Sequence, residues 1–476
     1  MMRPMNPTRP PGPRAGLFGL RLASRMFRDY PEFHRQLQRD HGDAAYFRLG
    51  RYRDYVFSDP ELIREVLMTK ARSFVRWQRS MRVFALAHGQ SVLITEGGVW
   101  QRQRRMLQPG FAPRRFDAYA RQIGDASARA LDAVQTDGRT PIDFEQTMTA
   151  LTMDVIMRTL FSSEAPEDAA AAGAAVQVLS RAALNEMFLP FELPQWVPLP
   201  WRPATRRALQ TLDALVWRLL RERRAHPGAH QDLLAMLMSA ADEEDGDARL
   251  SDQEVRDQCM TMFLAGHETT ATGLAWWGWA MASHPEIARR AAAEVDAALG
   301  GRIPVHGDLP RLPYLMQTLK ETLRLRPPAA ALFTREAVED VQIGSWLLPR
   351  GSLVMITPFV VHHDERWFPS AERFDPDRFA PERADSIPRG AYLPFGVGPR
   401  VCIGNNFALM EMAQVAAMLL QRFELVRPAH APEPHPRLHV TLKPEGGLRL
   451  VLRPRSAVRS QATGLAGMAS CPRVHA

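Results

Sequence analysis

"FGVGPRVCIG", residues 395–404, contains Cys402, one of only three cysteines in a chain of 476 residues. Three glycines, Gly396, Gly398 and Gly404, permit backbone turns that aim N–H groups at the sulfur. Directly afterwards, Phe407, Leu409, Met412, Val415, Leu419 and Phe423 are apolar at helical spacing, which predicts a helix over 404–424. The free N–H groups and the dipole of its first turn then point at Cys402. A thiolate needs such a helix end, a cation or a metal to hold its charge. The loop offers no histidine to act as a base, as a nucleophile would need. Three cysteines also cannot fill a four-cysteine zinc site.

Composition bounds the rest. With 46% hydrophobic residues the chain can bury a large core, and its length predicts two lobes. An odd cysteine count without a disulfide framework fits a reducing, cytoplasmic setting. The net charge of +8 is carried almost wholly by arginine, and no nucleic-acid recognition motif accompanies it. No stretch approaches the roughly 18–20 apolar residues that a bilayer requires. Leu17 to Phe27, apolar at helical spacing, is expected to dock as an N-terminal helix.

Along the chain, residues 1–14 are a Pro-rich extension. "YFRLGRYRDYVFSDP" reads as a hairpin turning at Gly50. Residues 115–240 and 250–325 are helical, and 326–400 carry short strand patterns. A last hairpin is expected in "LHVTLKPEGGLRLVLRP", and 456–476 as a tail. The fold class is therefore mainly α with small β-sheets, expected as a single domain over 15–455.

"SDQE", Ser251 to Glu254, is a capping box. The helix it opens should run to Ser283, about 32 residues or roughly 48 Å. Its middle, Ala265-Gly266-His267-Glu268-Thr269-Thr270, breaks helix preferences: an interior glycine costs about 1 kcal/mol relative to alanine. Small residues here admit either a flat ligand or a close helix neighbour. A carboxylate beside a hydroxyl can pass protons inward.

A lone thiolate suits one proximal bond to haem iron, where it pushes electron density that favours O–O cleavage. The pattern Phe395-x-x-Gly398-x-Arg400-x-Cys402-x-Gly404 resembles the haem-binding loop of the cytochrome P-450 family. Ala265-Gly266-x-Glu268-Thr269-Thr270 resembles that family's oxygen-activating helix, and Glu321-x-x-Arg324 its Glu-x-x-Arg helix. "FDPDRF", Phe374 to Phe379, resembles the segment whose arginine, here Arg378, joins Glu321 and Arg324. Trp100-x-x-x-Arg104 resembles its propionate-binding helix. Five such motifs in order span most of the chain and imply the P-450 fold, an α-rich lobe and a smaller β-rich lobe around haem b. The resemblance assigns Cys402 as iron ligand. Trp100, Arg104, Ala265, Gly266, Arg335, Phe395, Gly398, Arg400 and Gly404 are cofactor contacts by the same token. Thr269 and Glu268 become the proton-delivery pair, and Glu321, Arg324 and Arg378 a buried structural cluster.

The implied activity is an O2-dependent monooxygenase that hydroxylates or epoxidises a lipophilic substrate: fatty acyl, terpenoid, carotenoid, steroid or polyketide. Trp77, Met81, Phe84, Phe263, Ala329, Leu332, Phe333 and Thr441 are the expected pocket residues. No reductase sequence follows the last hairpin, so electrons are expected from a ferredoxin or flavodoxin and its NAD(P)H-dependent reductase. Arg102, Arg105, Arg114 and Arg115 are candidates for its docking face on a monomeric enzyme. A haem-thiolate peroxygenase or hydroperoxide isomerase, and a non-catalytic haem-thiolate sensor, are the alternatives. "HHD", His362 to Asp364, falls in an expected structural turn rather than a metal site. Cys259 is expected in the core, and Cys471 lies in the tail.

Overall fold

The computed structural model describes residues 9–16, 18–187, 189, 192–226, 228, 232–242 and 248–455. Cys471 and the expected tail, with most of the Pro-rich extension, lie outside them.

The long helix organises the larger lobe. It runs from Asp252 to Ser283, 32 residues. Its capping box is formed: the Glu254 N–H donates to the Ser251 hydroxyl at 3.2 Å, and the Ser251 N–H donates to the Glu254 carboxylate at 2.9 Å. His284 ends it, with Pro285 opening the next helix. The helices Phe144–Phe161, Pro166–Met187 and Arg202–Ala225 pack round it, and Asn405–Arg422 crosses below. Together they enclose one continuous apolar core, in which Cys259 is fully buried. Small residues let the long helix approach its neighbours. A Cβ on Gly278 would stand 2.3 Å from the Phe144 ring.

The smaller lobe is built on a five-stranded sheet. Its order is Ala44–Leu49, Tyr52–Phe57, Leu353–Ile356, Arg335–Ala337, Phe74–Arg76. Gly50 turns the expected first hairpin with φ 56°. Leu353–Ile356 joins parallel to Tyr52–Phe57, and the other pairings are antiparallel. This sheet covers a second core that includes Tyr55, Phe57 and Phe368.

Three details depart from the sequence reading. The N-terminal helix begins at Leu20 and docks through Leu22 and Met26, leaving Phe18 and Leu20 exposed. The Pro-rich stretch is not free where it is described: the Pro11 carbonyl accepts the Tyr46 N–H at 2.9 Å, extending the edge of the sheet. The C-terminal strands do not form one hairpin. Pro436–Leu438 pairs with Leu442–Pro444, whereas Arg449–Pro454 crosses to Phe423–Val426 and Ile142–Asp143. Gly446 and Gly447, both at φ 81°, turn the chain from one sheet to the other.

Candidate active site around Cys402

Gly404 caps Asn405–Arg422, so Cys402 stands just outside a helix N-terminus as expected. The Cys402 N–H donates to the Phe395 carbonyl at 3.0 Å, closing the loop on itself. Burial pushes the Cys402 thiol up, while the Gly404 N–H and the Arg104 charge oppose that shift. Cys402 nevertheless carries open surface. Deep placement with open surface means that the residue lines an interior space. Gly398 holds the loop from behind. Its φ is 82°, and a Cβ would lie 2.1 Å from the Leu67 carbonyl oxygen. Glycine is thus required here by packing of the loop against Leu67.

The long helix shows the matching face. Nearly every residue from Val255 to Ala282 is buried, but Ala265 is open and Thr269, four residues on, is partly open. Positions four apart share a helix face. Gly266 points elsewhere: a Cβ there would meet Ile156 of Phe144–Phe161 at 3.0 Å. The small residue at 266 therefore lets the long helix pack closely on Phe144–Phe161. The Thr269 hydroxyl donates to the Ala265 carbonyl at 2.8 Å, which leaves its oxygen as an acceptor.

Glu268 is held by three other residues. Its carboxylate accepts from the Ser180 hydroxyl at 2.6 Å and the Thr441 hydroxyl at 3.2 Å, and pairs with Lys443 at 3.1 Å. None of those three partners was foreseen, since they come from separate parts of the chain.

Four arginines gather beside the loop. Arg104 donates to the Val401 carbonyl at 2.9 Å. Arg400 lies 3.8 Å over the Trp100 ring, donates to the Thr95 carbonyl at 3.0 Å and pairs with Glu96. Arg335 donates to the Phe333 carbonyl at 3.1 Å. Arg76, missed by sequence, is the fourth and stands opposite Arg335 in the strand pairing. Burial and the charges of Arg400, Arg335 and Arg104 depress Arg76, and its buried Nε has no partner. Arg400 is pushed down to about 10, by burial first. Glu96 is the carboxylate that offsets these charges. A buried cluster of this sign calls for further anionic oxygens. A single thiol facing arginines and a helix N-terminus, with an open alanine opposite, fits a haem: sulfur for the iron, arginines for two propionates.

The supporting cluster forms as expected. Arg324 donates to both Glu321 oxygens, at 2.7 and 2.8 Å, and Arg378 reaches the same carboxylate at 3.3 Å. Arg324 also holds the His362 carbonyl at 2.6 Å. His362 bonds the Arg324 carbonyl through Nδ1 at 3.0 Å, and its Nε2 accepts the Leu393 N–H at 2.8 Å. A chain of contacts thus runs from Glu321 to the entry of the cysteine loop. "HHD" is structural, and no metal-binding cluster occurs among the described residues.

The pocket reading needs correction. Met81 and Phe84 do cluster with Phe333, joined by Leu93, Ile94 and Met187 that sequence reasoning missed. Leu332 approaches Gly396 from the sheet side, and Ala329 is half-buried. Phe263 is fully buried and stacks on Phe161 with 4.5 Å between centroids. Trp77 packs edge-on against Tyr52 of the sheet, 5.2 Å between centroids. Thr441 is buried, its hydroxyl given to Glu268. In the basic patch Arg102 is committed to Glu254, whereas Arg105 and Arg114 are exposed.

The family model for cytochrome P450 matches residues 10–451. The cyclooctatin synthase of Streptomyces melanosporofaciens is 37% identical over 87% of this chain and 89% of its own. The cyclooctat-9-en-7-ol 5-monooxygenase of the same organism is 36% identical over 81% and 83%. The pentalenene oxygenase of Streptomyces avermitilis is 33% identical over 83% and 89%. Among the described residues no helix is long and apolar enough to cross a membrane. With its helical lobe, sheet lobe and cysteine loop so arranged, the chain belongs to the cytochrome P450 family of haem-iron monooxygenases that use O2.

Proposed function

We propose that the chain binds haem b through Cys402 and oxidises a cyclic terpenoid, with electrons from a ferredoxin or flavodoxin and its reductase. The observation that carries this is the buried arginine cluster, Arg76, Arg104, Arg335 and Arg400, beside a thiol at a helix N-terminus. It supports two carboxylates and one metal bond on the same side of the site. When bound, the haem supplies O2 activation and insertion of one oxygen atom into substrate.

The chain's own residues do the rest. The Gly404 N–H and Arg104 stabilise negative charge on the Cys402 sulfur. The Glu321–Arg324–His362 chain ties the entry of the cysteine loop at Leu393 to the helix Pro313–Leu325. Thr269 presents a fixed hydroxyl oxygen on the face it shares with Ala265, and Glu268 is the acid next to it in sequence. Met81, Phe84, Ile94 and Phe333 form an apolar wall, with the Arg76 guanidinium over the Phe333 ring at 5.4 Å from its centroid. That wall suits a hydrocarbon skeleton, in line with the alkene and alkenol in the names of the relatives. The exposed Arg105 and Arg114 suit an acidic protein partner.

Dithionite and carbon monoxide test the ligand: a strongly red-displaced Soret band is expected, and is lost in Cys402→His. A screen of cyclic terpenes, fatty acids and steroids for the low-spin to high-spin absorbance change tests the substrate. Spectral response to fatty acids alone would reject the terpenoid assignment. With the best binder, Glu268→Gln and Thr269→Ala are each expected to lose about tenfold in product formed per electron pair.

A further inference from the structure

His88 ends the helix Gln78–His88, and Gly89 turns the chain out of it at φ 57°. The residues that follow are stitched to the long helix. The Gln90 N–H donates to the Asp257 carboxylate at 2.6 Å, and the Val92 N–H donates to Gln258 at 3.0 Å. A Cβ on Gly89 would stand 2.1 Å from that carboxylate, so glycine permits the close approach. His88 is thereby fixed against the long helix on one side. On the other its ring meets Phe84 edge-on, 5.9 Å between centroids, and Phe84 meets Phe333 at 5.3 Å.

Thr261 decides what the ring can do. It lies one turn before Ala265, on the face that also carries Thr269. Its hydroxyl donates to the Ser91 hydroxyl oxygen at 2.6 Å, so its own oxygen accepts from His88 Nδ1, 3.1 Å away. Burial alone lowers His88 to about 3, which keeps the ring neutral. Its one proton is then on Nδ1, and Nε2 carries a bare lone pair. Nε2 has no hydrogen-bond partner among the described residues, yet it is not sealed in as the Nε2 atoms of His34 and His363 are. His88 as a whole is 5% exposed. A deep ring with one open nitrogen lines an interior space, here beside the apolar wall of Met81, Phe84, Ile94 and Phe333. Arg76, whose guanidinium lies over the Phe333 ring, donates to the Leu93 carbonyl at 2.6 Å and belongs to the arginine cluster beside the cysteine loop.

We propose that His88 Nε2 is a hydrogen-bond anchor for the substrate, and that the substrate is accordingly a terpenoid that already carries a hydroxyl group. The inference deepens the terpenoid reading given above and rests on it. A hydroxyl buried without a partner is costly, and so is a bare ring nitrogen. Each satisfies the other: the substrate O–H donates and Nε2 accepts. An ether of the same skeleton offers no donor, and a hydrocarbon meets the apolar wall alone. The contacts to Thr261, Asp257 and Gln258 hold the acceptor in place before substrate arrives, so little ordering is left to do on binding. With its hydroxyl tied at the end of Gln78–His88, the substrate presents carbons remote from that hydroxyl to the Ala265 face. The anchor therefore sets the position oxidised as well as the affinity. An earlier hydroxylation, or a cyclisation quenched by water, must supply such a substrate.

The test is a titration of haem-loaded protein by the low-spin to high-spin absorbance change. The probes are menthol and cedrol, each with its methyl ether and its parent hydrocarbon. Each alcohol is expected to bind about tenfold tighter than the ether or hydrocarbon of its skeleton. His88→Phe keeps a ring against Phe84 and removes both nitrogens. It should bring the alcohol down to the affinity of its ether and leave the hydrocarbon within about twofold of the parent. His88→Gln, whose amide reaches the place of Nε2, should restore part of the preference. Thr261→Val leaves Nδ1 without its acceptor and should broaden the product mixture in turnover with a ferredoxin and its reductase. Carbon monoxide spectra report haem loading in every variant, and should His88→Phe lose haem, the parent comparison and His88→Gln decide. An alcohol that binds no tighter than its ether to the parent overturns the anchor and leaves the terpenoid reading standing. So does equal weakening of all three probes in His88→Phe, which would make the ring mere packing. If fatty acids alone shift the spectrum, the terpenoid reading fails and the anchor falls with it.

Discussion

Arg76 stands directly opposite Arg335 where strand Phe74–Arg76 pairs antiparallel with Arg335–Ala337. Both are pushed down by burial, and each also feels Glu96. Like charges facing across a ladder destabilise a sheet, here without water to screen them. The arrangement is reasonable only if anionic oxygens complete it, as haem propionates would. Arg76→Gln is therefore expected to act in opposite directions on the two forms. The haem-free protein should melt higher, whereas the haem-loaded protein should release haem to an acceptor globin about tenfold faster, the equivalent of roughly 1.4 kcal/mol. Parallel changes in both forms would reject the propionate role.

How much of this was legible in sequence follows from the range of each interaction. Cys402, Gly404 and the helix after them are adjacent in the chain, so spacing and capping chemistry suffice. Glu321 and Arg324 share a helical turn for the same reason. Arg76 was not legible, because nothing near "FVRW" says that a strand 259 residues later presents Arg335 to it. Thr441 was read as a pocket residue from its neighbourhood, but its direction depends on Glu268, which only tertiary packing decides. The neighbours of Gly266 and Phe263, Ile156 and Phe161, were not legible either: periodicity shows that a helix is buried, not which neighbour covers each face. The C-terminal strands were misjoined because two glycines that can turn a hairpin can equally send the chain to another sheet.

His362 makes acid sensitivity predictable. Its Nε2 accepts the Leu393 N–H, so the ring must stay neutral, and burial with the nearby Arg324 charge lowers it to about 3. A folded value below the unfolded one of about 6.5 means that the unfolded chain binds the extra proton. The stabilisation is complete above about pH 6.5 and is lost as pH falls towards 3. His88 and His34, lowered to about 3 and about 4 by burial, act in the same sense. His362→Gln can keep an acceptor for Leu393 without titrating. Its unfolding free energy should fall less steeply between pH 6 and 4, by up to about 1.4 kcal/mol per pH unit. Denaturant titrations across that range provide the check.

Glu411 carries the opposite sign. It is buried in the helix Asn405–Arg422, both carboxyl oxygens lack partners, and burial raises it well above the usual carboxylate range. The folded state keeps its proton while the unfolded state loses it above about pH 4.3, so stability is lost as pH rises. Glu411→Met, similar in volume and apolar, is expected to melt higher than the parent, with the gain widening from pH 4 to pH 8. A gain that stays constant over that range would show that the carboxyl finds a partner in solution.

Gly398 tests whether the cysteine loop is held from behind. An alanine there would need a left-handed backbone at φ 82° and would drive its Cβ to 2.1 Å from the Leu67 carbonyl oxygen. The strain of the first is about 1–3 kcal/mol. The second cannot be relieved by a side-chain rotation, because the opposing atom is backbone. The loop must back away from the turn at Glu65–Thr69, carrying Cys402 with it. Gly398→Ala is expected to fold, since the main core lies elsewhere, but to load haem poorly and to show a weakened thiolate band after reduction with carbon monoxide. Gly447→Ala serves as the control, because its added Cβ meets nothing closer than 3.7 Å although its φ of 81° is equally strained. Equal haem loss in both variants would trace the defect to general backbone strain. Loss confined to Gly398→Ala would place it in the contact between Leu67 and the cysteine loop.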